Sequence, residues 1–368
     1  MKVCFHSRPN LSSVLGGDSI QVFKTKEYLE KAGISVDIDL NPTPESDNYD
    51  ILHLFNLIRP QGMLQRAREA KKDGKKVALS TIFVDYSEYE KQARSGFMKH
   101  IFRLLPTYHL EYLKAVARTI KSRSINRSDI EYFVSGHLRS QRELLSYVDI
   151  LLPNSRSEYN RVCAMFPEAN KIPHVVVPNA MDAHLFNGHP IDIASEFRKY
   201  QDCILCAARI EGRKNQLNLV RAVNELPYKL VLVGEPAPNH VHYFEQIKRE
   251  AGDNIHLIGK IAHEELPILY KLAKVHCLVS WAETTGLSSL EAAAMGCNLV
   301  ITDKGDTRDY FGDLAFYCEP DSVESIRNAV KEAYESPVNP ALKERVLTEF
   351  VWEKTAEKTI EGYKTILN

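Results

Sequence analysis

Residues 275–303, VHCLVSWAETTGLSSLEAAAMGCNLVITD, decide the fold class. The opening run VHCLVSW is apolar and predicts a buried strand, LSSLEAAAMG predicts a helix, and CNLVITD predicts the next strand. Two strands joined through a helix lie parallel in one sheet, because a parallel connection needs a crossover of this length. The stretch therefore predicts a βαβ unit.

The same alternation of short β-rich runs and helical stretches fills the rest of the chain, in two similar halves. The first half predicts strands at MKVCFHS, ISVDIDL, DILHLFN, KKVALSTI and VDILLPN, and the second at CILCAARI, YKLVLVGE, NIHLIGK, VHCLVSW, CNLVITD and AFYCEP. Pro178, Asn179, Gly188 and Pro190 punctuate the join. This pattern predicts a first domain over 1–185, a second over 186–348 and a closing helix over 349–368, with both domains open, doubly wound parallel sheets.

Composition and charge bound the classes of function. The chain has 368 residues, 44% hydrophobic and 26% charged, which is enough for two globular cores. Its formal net charge is -1, whereas a chain that attracts nucleic acid by charge is usually basic, so we expect no nucleic-acid partner. The charge is uneven: residues 1–185 hold 26 Lys/Arg against 21 Asp/Glu, and 186–368 hold 21 against 27. The first half could therefore face something anionic.

Cysteine usage and hydropathy favour a cytoplasmic protein. Most of the seven cysteines lie in apolar runs, which predicts reduced, buried thiols. Cys203 and Cys206 would point to opposite faces of one strand, so we expect neither a metal nor a redox pair there. MKVCFHSRPN lacks the apolar segment of a secretory signal, and no uncharged run reaches the length of a spanning helix.

Two loops that follow predicted strands carry groups suited to anionic ligands. At Gly16-Gly17-Asp18 the glycines let the backbone approach a ligand, and the next helix offers free N–H groups. A plain tight turn is the alternative, and the G-x-G-x-x-G spacing of a dinucleotide site is absent. After CILCAA, Arg209 is expected at the carboxyl end of the strand and Lys214 at the start of the next helix, across a Gly-bearing turn. The two cations either converge on a diphosphate or form a solvated basic turn.

The loop Trp281–Glu291 is the most informative segment. Thr284 or Thr285 is expected to cap the helix that follows, with Gly286 opening the first turn. Bare N–H groups at that helix end suit a phosphate or a sugar hydroxyl.

The segment 281–291 also contains two carboxylates. Glu283 lies at the strand-to-helix corner, and Glu291 lies on the helical face of Leu287 within an apolar stretch. A carboxylate in such surroundings is costly unless it has a partner, which would be a ribose diol or a structural salt bridge.

The sequence shows no motif that we expect to bind a metal ion. His240-Val-His242 lies in a Pro- and Asn-containing loop without a carboxylate at ligand spacing, so both histidines are expected to be solvated. Asp37-Ile-Asp39 ends an early strand and is expected to be solvated charge. A Ser/His/Asp order and a G-x-S-x-G elbow are also missing.

Residues 91–128 form a dense basic stretch with nine Lys/Arg and one acid, interleaved with bulky apolar side chains. This composition fits docking on an anionic membrane surface. It also fits binding to a polyanionic acceptor, or a helix that packs its apolar face on the core.

In their order and spacing these pieces resemble family 4 of the retaining glycosyltransferases, which have the GT-B fold. The resemblance covers nearly the whole chain and rests on GGDSIQVFKTKEYLEKAGISVDI, DILHLFN, VDILLPNS, VVVPNAMDAHLF, Arg209-x4-Lys214, Glu283-x7-Glu291 and a closing helix that begins near VW. It implies two Rossmann-like α/β domains with an interdomain cleft, the first for the acceptor and the second for the nucleotide-sugar donor. It also implies that the closing helix crosses back onto the first domain.

The resemblance implies roles for the matching residues. Arg209 and Lys214 would hold the donor's diphosphate and Glu283 would contact the donor sugar's hydroxyls, which makes these three the candidate catalytic residues. The rest of the implied donor site is the backbone at Thr284, Thr285, Gly286 and Leu287 for sugar and phosphate, Glu291 for the ribose, Lys260 and Ile261 for the base, and Gly16 and Gly17 for the diphosphate.

The chain departs from the family at three places. Many members carry a His at the end of the strand here written VALSTIF, where Ile82-Phe83 stands, and Asp85-Tyr86 would take part of its place. Ala180 replaces the usual Gly in PNAMD. Thr285 stands where an aromatic residue is common, which would change the donor-sugar pocket.

The implied function is that of a retaining, metal-independent hexosyltransferase without a separate cofactor. It would move a sugar from a UDP- or GDP-linked donor to a glycan or lipid-linked acceptor, in bacterial surface polysaccharide or glycolipid synthesis. The protein would be cytoplasmic, with peripheral contact at the inner face of the membrane if 91–128 docks there. Two alternatives remain: a GT-B-like sugar-nucleotide epimerase or hydrolase, and a non-catalytic sugar-binding protein.

Overall fold

In a computed structural model the chain forms two α/β units. The structure describes residues 1–9, 11, 16–41, 48–86, 88–89, 109, 112–113, 116, 127–186 and 196–367. The predicted join at Gly188 and Pro190, and almost all of the basic stretch 91–128, lie outside the described residues. Membrane docking through that stretch therefore stays a prediction.

The first unit is built on a five-stranded parallel sheet in the order β2-β1-β3-β4-β5. Its strands are β1 (Lys2–His6), β2 (Ser35–Ile38), β3 (Ile51–Phe55), β4 (Lys76–Ser80) and β5 (Ile150–Leu151). Its helices are α1 (Gly17–Lys31), α2 (Met63–Lys72), α3 (Arg127–Ser135), α4 (His137–Leu145) and α5 (Arg156–Met165), and a 3₁₀ turn spans Pro167–Lys171. The five strands predicted for the first half are all present.

The second unit is built on a six-stranded parallel sheet in the order β11-β10-β9-β6-β7-β8. Its strands are β6 (Cys203–Ala207), β7 (Leu230–Val233), β8 (Ile255–Gly259), β9 (Ala273–Leu278), β10 (Asn298–Thr302) and β11 (Phe316–Cys318). Its helices are α6 (Gln216–Val223), α7 (Val241–Glu250), α8 (Leu266–Leu272), α9 (Leu287–Met295), α10 (Thr307–Phe311), α11 (Val323–Glu335) and α12 (Pro340–Glu349). Short 3₁₀ turns span Arg198–Tyr200, Gly212–Lys214 and His263–Glu265. The six strands predicted for this half are all present.

Both faces of the second sheet are covered, which explains why its strands are continuous apolar runs. Along β6, Cys203 and Leu205 pack into the core on one face, whereas Ile204 and Cys206 pack into the core on the other. Burial of a leucine side chain such as Leu205 contributes about 2 kcal/mol. All seven cysteines are free and buried, and Cys203 and Cys206 lie on opposite faces, as predicted.

The closing helix α13 (Trp352–Leu367) packs on the first unit, as the resemblance implies. The hydroxyl of Tyr363 lies 2.6 Å from Nδ1 of the buried His53 on β3. Thr355 donates a hydrogen bond of 2.8 Å to the carbonyl of Pro178. A Cβ on Gly362 would lie 2.6 Å from a methyl carbon of Leu152, so the absence of a side chain permits the close approach of this helix.

Contacts between residues divide the chain into two compact units. The first comprises Met1–Ser87, Phe97–Asn179 and Trp352–Asn368, and the second comprises Glu88–Gly96 and Ala180–Val351. Two of the divisions between the units fall at 179/180 and 351/352. The predicted domain bounds at 185/186 and 348/349 stay a prediction. Within the described residues, no helix is both long and apolar enough to span a bilayer.

Candidate functional site

The order of the second sheet singles out the edge of β6 and β9. The two strands are neighbours, and the strands that follow each of them in the chain lie on opposite sides of this pair. This is a topological switch point, where ligands of doubly wound sheets bind beyond the carboxyl ends of the strands. The two segments that the sequence singles out follow these two strands: 209–214 after β6, and 281–291, which includes the start of α9, after β9.

Side-chain hydrogen bonds fix the loop after β6. The amide of Gln216 donates to the carbonyl of Arg209 at 2.9 Å. Asn215 adopts a left-handed conformation with φ 61, and its amide donates to the carbonyls of Val279 and Pro320 at 3.1 and 2.7 Å. These contacts fasten the loop to the segments that follow β9 and β11. The side chain of Arg209 is exposed at its start.

The prediction that Lys214 lies at the start of the next helix is wrong. It ends the 3₁₀ turn Gly212–Lys214, and the helix begins at Gln216 after the left-handed Asn215. Asn215 separates the 3₁₀ turn from the helix, because a residue in the left-handed conformation interrupts the helical path.

Lys214 and Glu283 form an ion pair between the two loops, through Nζ and Oε1. Their side chains are 15% and 8% exposed, so water screens the pair weakly. Burial alone would raise the pKa of Glu283, but Lys214 and, less strongly, Arg213 outweigh it and hold that pKa below its usual value. Glu283 is therefore a carboxylate at neutral pH, held beside a cation.

A glycine in the loop after β10 sets the backbone of Glu283. The N–H of Glu283 donates to the carbonyl of Lys304 at 3.1 Å, and its carbonyl accepts from the N–H of Asp306 at 2.9 Å. Gly305 between them has φ 95, and a Cβ there would lie 2.0 Å from the carbonyl oxygen of Glu283. Only glycine fits this position, which the sequence did not single out.

Helix α9 begins at the switch point without the expected threonine cap. Its N-cap is Gly286 with φ 74, and neither Thr284 nor Thr285 caps it with a side-chain hydrogen bond. The hydroxyls of Thr285 and Ser289, both 1% exposed, find no hydrogen-bond partner within the described part of the chain. The helix end therefore combines N–H groups with two buried hydroxyls, which suits an oxygen-rich ligand.

Glu291 has partners within the protein. Nε2 of His263 lies 3.0 Å from its Oε1, and the hydroxyl of Tyr270 donates to its Oε2 at 3.0 Å. Lys260 and Ile261 precede His263 after β8, with Lys260 exposed and Ile261 half-buried. The sequence singled out Glu291 but missed both of its partners, because no local pattern links positions so far apart in the chain.

Gly16 and Gly17 belong to the first unit, at the first turn of α1. Gly16 is the N-cap, in extended backbone, and a Cβ on Gly17 would lie more than 4 Å from the other described atoms. Arg8 holds the turn through hydrogen bonds to Asp18 at 2.8 Å and to the hydroxyl of Ser19 at 2.8 Å. The open space at Gly17 is compatible with an approaching ligand.

The described residues 81–86, directly after β4, include no His, and their backbone is strained at one position. Ile82 has φ 41, which is unusual for a β-branched residue, and both Ile82 and Phe83 are buried. The fully buried Glu158 holds this loop: it accepts from the hydroxyl of Thr81 and from the N–H of Phe83 at 3.0 Å. Asp85 is exposed. A role for Asp85-Tyr86 in place of the family His stays a prediction.

The structure thus brings Lys214 and Glu283 into direct contact and fastens their loops together. It gives Glu291 two partners that the sequence did not reveal, and it places Gly16 and Gly17 in the other unit. Among the described residues, no three His, Cys, Asp or Glu side chains cluster as a metal site requires. The roles of these residues in ligand binding stay predictions.

Part of the chain matches the model of a known family. Residues 191–347 match the family described as glycosyl transferases group 1. The chain is 25% identical over 178 residues to the O-antigen chain mannosyltransferase B of Escherichia coli, which covers 45% of this chain and 47% of that protein. It is 24% identical over 307 residues to the D-inositol 3-phosphate glycosyltransferase of Kribbella flavida, covering 77% and 71%. The matched part thus spans about half the length of the Escherichia coli relative.

Solved structures share the fold over the whole chain. Sucrose-phosphate synthase from Thermosynechococcus elongatus superposes with a TM-score of 0.72 at 16% identity, covering 100% of this chain and 99% of that one. Anabaena HepE in complex with UDP gives a TM-score of 0.70 at 15% identity, with 100% of both chains covered. Identities this low show the fold alone, and the predicted GT-B class is confirmed.

Proposed function

We propose that the protein is a retaining glycosyltransferase, a proposal that the match of residues 191–347 to the glycosyl transferases group 1 family supports. It would move a hexose from a nucleotide-diphosphate donor to a glycan or lipid-linked acceptor. The observation that carries the proposal is the ion pair of Lys214 and Glu283 between the two switch-point loops. It places a cation for a diphosphate beside a carboxylate for sugar hydroxyls, at the sheet edge where such a donor binds.

In this proposal the diphosphate replaces Glu283 as the main partner of Lys214. The exposed guanidinium of Arg209 and the N–H groups at the start of α9 would take further phosphate oxygens. Glu283, relieved of its ion pair, would accept hydrogen bonds from the donor sugar. The backbone from Thr284 to Leu287 would complete the sugar and phosphate contacts.

The remaining donor contacts follow the same assignment. Glu291 would bind the ribose, Lys260 and Ile261 would lie against the base, and Gly16 and Gly17 would approach the diphosphate. HepE, solved with UDP, supports a UDP-linked donor, and the Escherichia coli mannosyltransferases support a surface polysaccharide as product. We assign a UDP- or GDP-linked sugar, without any further cofactor, and action at the inner face of the cytoplasmic membrane.

The reaction would proceed on one face of the sugar. The bond between the anomeric carbon and the diphosphate oxygen breaks, and a bond to the acceptor oxygen forms on the same side. The acceptor proton passes to the departing diphosphate. The protein's contribution is positive charge, from Arg209, Lys214 and the start of α9, and removal of one such contact costs roughly 2–4 kcal/mol in the transition state. With this charge in place the proposed reaction requires no metal ion.

A test separates turnover from binding at Glu283. Glu283→Gln keeps the shape of the side chain but removes the charge that would receive the sugar's hydroxyls. We expect turnover to fall about 100-fold while UDP or GDP affinity changes less than about 3-fold. Lys271→Ala, an exposed lysine of the same unit, is the control and should leave both unchanged.

Each alternative predicts a different outcome. Equal loss of turnover and nucleotide affinity in Glu283→Gln would favour a plain binding protein. Rapid consumption of nucleotide sugar without acceptor would favour an epimerase or hydrolase. NMR of the product gives its anomeric configuration. An inverted configuration would contradict the retaining mechanism.

A further inference from the structure

Both carboxylate oxygens of Glu291 are held by donors from separate elements. Tyr270 on α8 donates to Oε2, and His263 in the 3₁₀ turn after β8 contacts Oε1, each at 3.0 Å. The carboxylate sits among the buried alanines of α9, where an unpaired charge would be costly. Two donors at fixed positions determine how the carboxylate is turned.

The two donors differ in their exposure to solvent. Tyr270 is fully buried, and burial together with Glu291 raises the pKa of its hydroxyl well above the usual value, so it stays a donor at all relevant pH. The His263 side chain is 49% exposed, with its ring edge-on to Phe186 at 5.3 Å between centroids. His263 is thus the partner on the side from which a ligand would reach Glu291.

Among the described residues, the charged groups that act most strongly on His263 are acidic. The hydrogen bond to Glu291 raises the pKa of His263 above 6.5, against the lowering effect of partial burial. Glu264 in the same turn and Asp182 in the segment before Phe186 raise it further. The ring therefore keeps its proton to a higher pH than an isolated imidazole, and the protonated ring donates from Nε2.

We propose that His263 is a positioning residue that holds the Glu291 carboxylate in the orientation that binds the ribose diol of the nucleotide. This inference rests on the proposed function, since it takes the ribose assignment of Glu291 as given. An ionised carboxylate has about four lone-pair positions, and His263 and Tyr270 occupy one on each oxygen. The remaining position on each oxygen can accept one of the two adjacent ribose hydroxyls.

The proposal makes ribose recognition dependent on pH. Below the pKa of His263 the charged ring holds Oε1 of Glu291. Above that pKa the ring is neutral, so its ionic attraction to the carboxylate is lost and the carboxylate becomes freer to rotate. Affinity for a ribonucleotide should therefore fall as pH rises through that pKa, in a window above pH 6.5. The affinity for a nucleotide without ribose hydroxyls should not follow this trend.

The test is calorimetric titration of the full chain with UDP and GDP, and with their 2′,3′-dideoxy forms, between about pH 6 and pH 8.5. The ratio of ribo to dideoxy affinity cancels the titration of the diphosphate itself. We expect His263→Ala to lower this ratio about 5-fold at pH 6.5. His263→Gln, which keeps an N–H donor without titrating, should restore most of the ratio and remove its pH dependence.

The control is His242→Ala, an exposed histidine on α7 that should behave as the wild type. A ratio that rises in His263→Ala would overturn the proposal, because His263 would then compete with the ribose for Oε1. An unchanged ratio, with wild-type binding intact, would overturn it as well while leaving the proposed function standing. Failure of the wild type to bind either nucleotide would instead remove the proposed function and this inference with it.

Discussion

The buried pair of Lys214 and Glu283 should behave as one energetic unit. Lys214→Met leaves a carboxylate that is 8% exposed without its main cation, and Glu283→Gln leaves a cation that is 15% exposed. Breaking a buried ion pair from one side costs about 3–5 kcal/mol, and the residual exposure here places the expected loss near 3 kcal/mol. The double variant should lose less than the sum of the single losses, by about 2 kcal/mol.

Urea unfolding monitored by tryptophan fluorescence measures this coupling. Trp281 lies in the second unit beside the pair and Trp352 lies in the first, so a Trp352→Phe background reports on the second unit alone. The exposed pair of Lys248 and Glu245 on α7 is the control, with an expected coupling of about 0.5 kcal/mol or less. Strictly additive losses of unfolding free energy in the Lys214 and Glu283 variants would contradict the proposed coupling of the two side chains.

The same pair predicts a pH dependence. The pKa of Glu283 is lowered in the folded protein, so the stability that it contributes is present above the ordinary carboxyl pKa and is lost as pH falls through the folded value. Lys214→Met should therefore cost most at neutral pH, and the cost should shrink below about pH 4.5. A cost that is constant from pH 7 to pH 3 would contradict this.

Three further substitutions test other parts of the structure. Gly305→Ala forces a Cβ against the carbonyl of Glu283. It should lower the free energy of unfolding, measured by urea titration, by about 2 kcal/mol. It should also reduce turnover in an activity assay. Tyr363→Phe removes a partner of the buried His53 and should cost about 1–2 kcal/mol; an unchanged unfolding midpoint would show that the closing helix does not depend on this contact. Thr285→Val removes a buried hydroxyl that finds no partner in the described chain, so it should raise the thermal midpoint of the ligand-free protein. A lower thermal midpoint would contradict the burial of an unpartnered hydroxyl at this position.

The fold was predictable because its signal is local. Each strand is a short apolar run bounded by turn residues, and a run such as LVLV at Leu230–Val233 is buried at every position. Helices between such runs leave parallel sheets as the arrangement that buries both faces. The closing helix followed from the spacing of Trp352, Ala356 and Tyr363, all of which are buried.

The site was predictable only in part, because its geometry depends on contacts between distant segments. Lys214 and Glu283 were singled out by residue type, but their pairing depends on Asn215, whose left-handed backbone ends the 3₁₀ turn. The partnership of His263 with Glu291 joins a turn after β8 to a helix after β9. Sequence spacing carries no information about such contacts when the intervening elements are not yet placed.

The most direct test of the proposed donor site is a panel of nucleotide sugars offered to the purified protein and to Lys214→Ala, without acceptor or metal. Thermal stabilisation and release of nucleoside diphosphate are recorded together. We expect one nucleotide family to raise the melting temperature of the wild type with only slow release, and Lys214→Ala to lose that stabilisation. Stabilisation by no member of the panel, or equal stabilisation of both proteins, would contradict the assignment of the diphosphate to Lys214 and the switch-point loops.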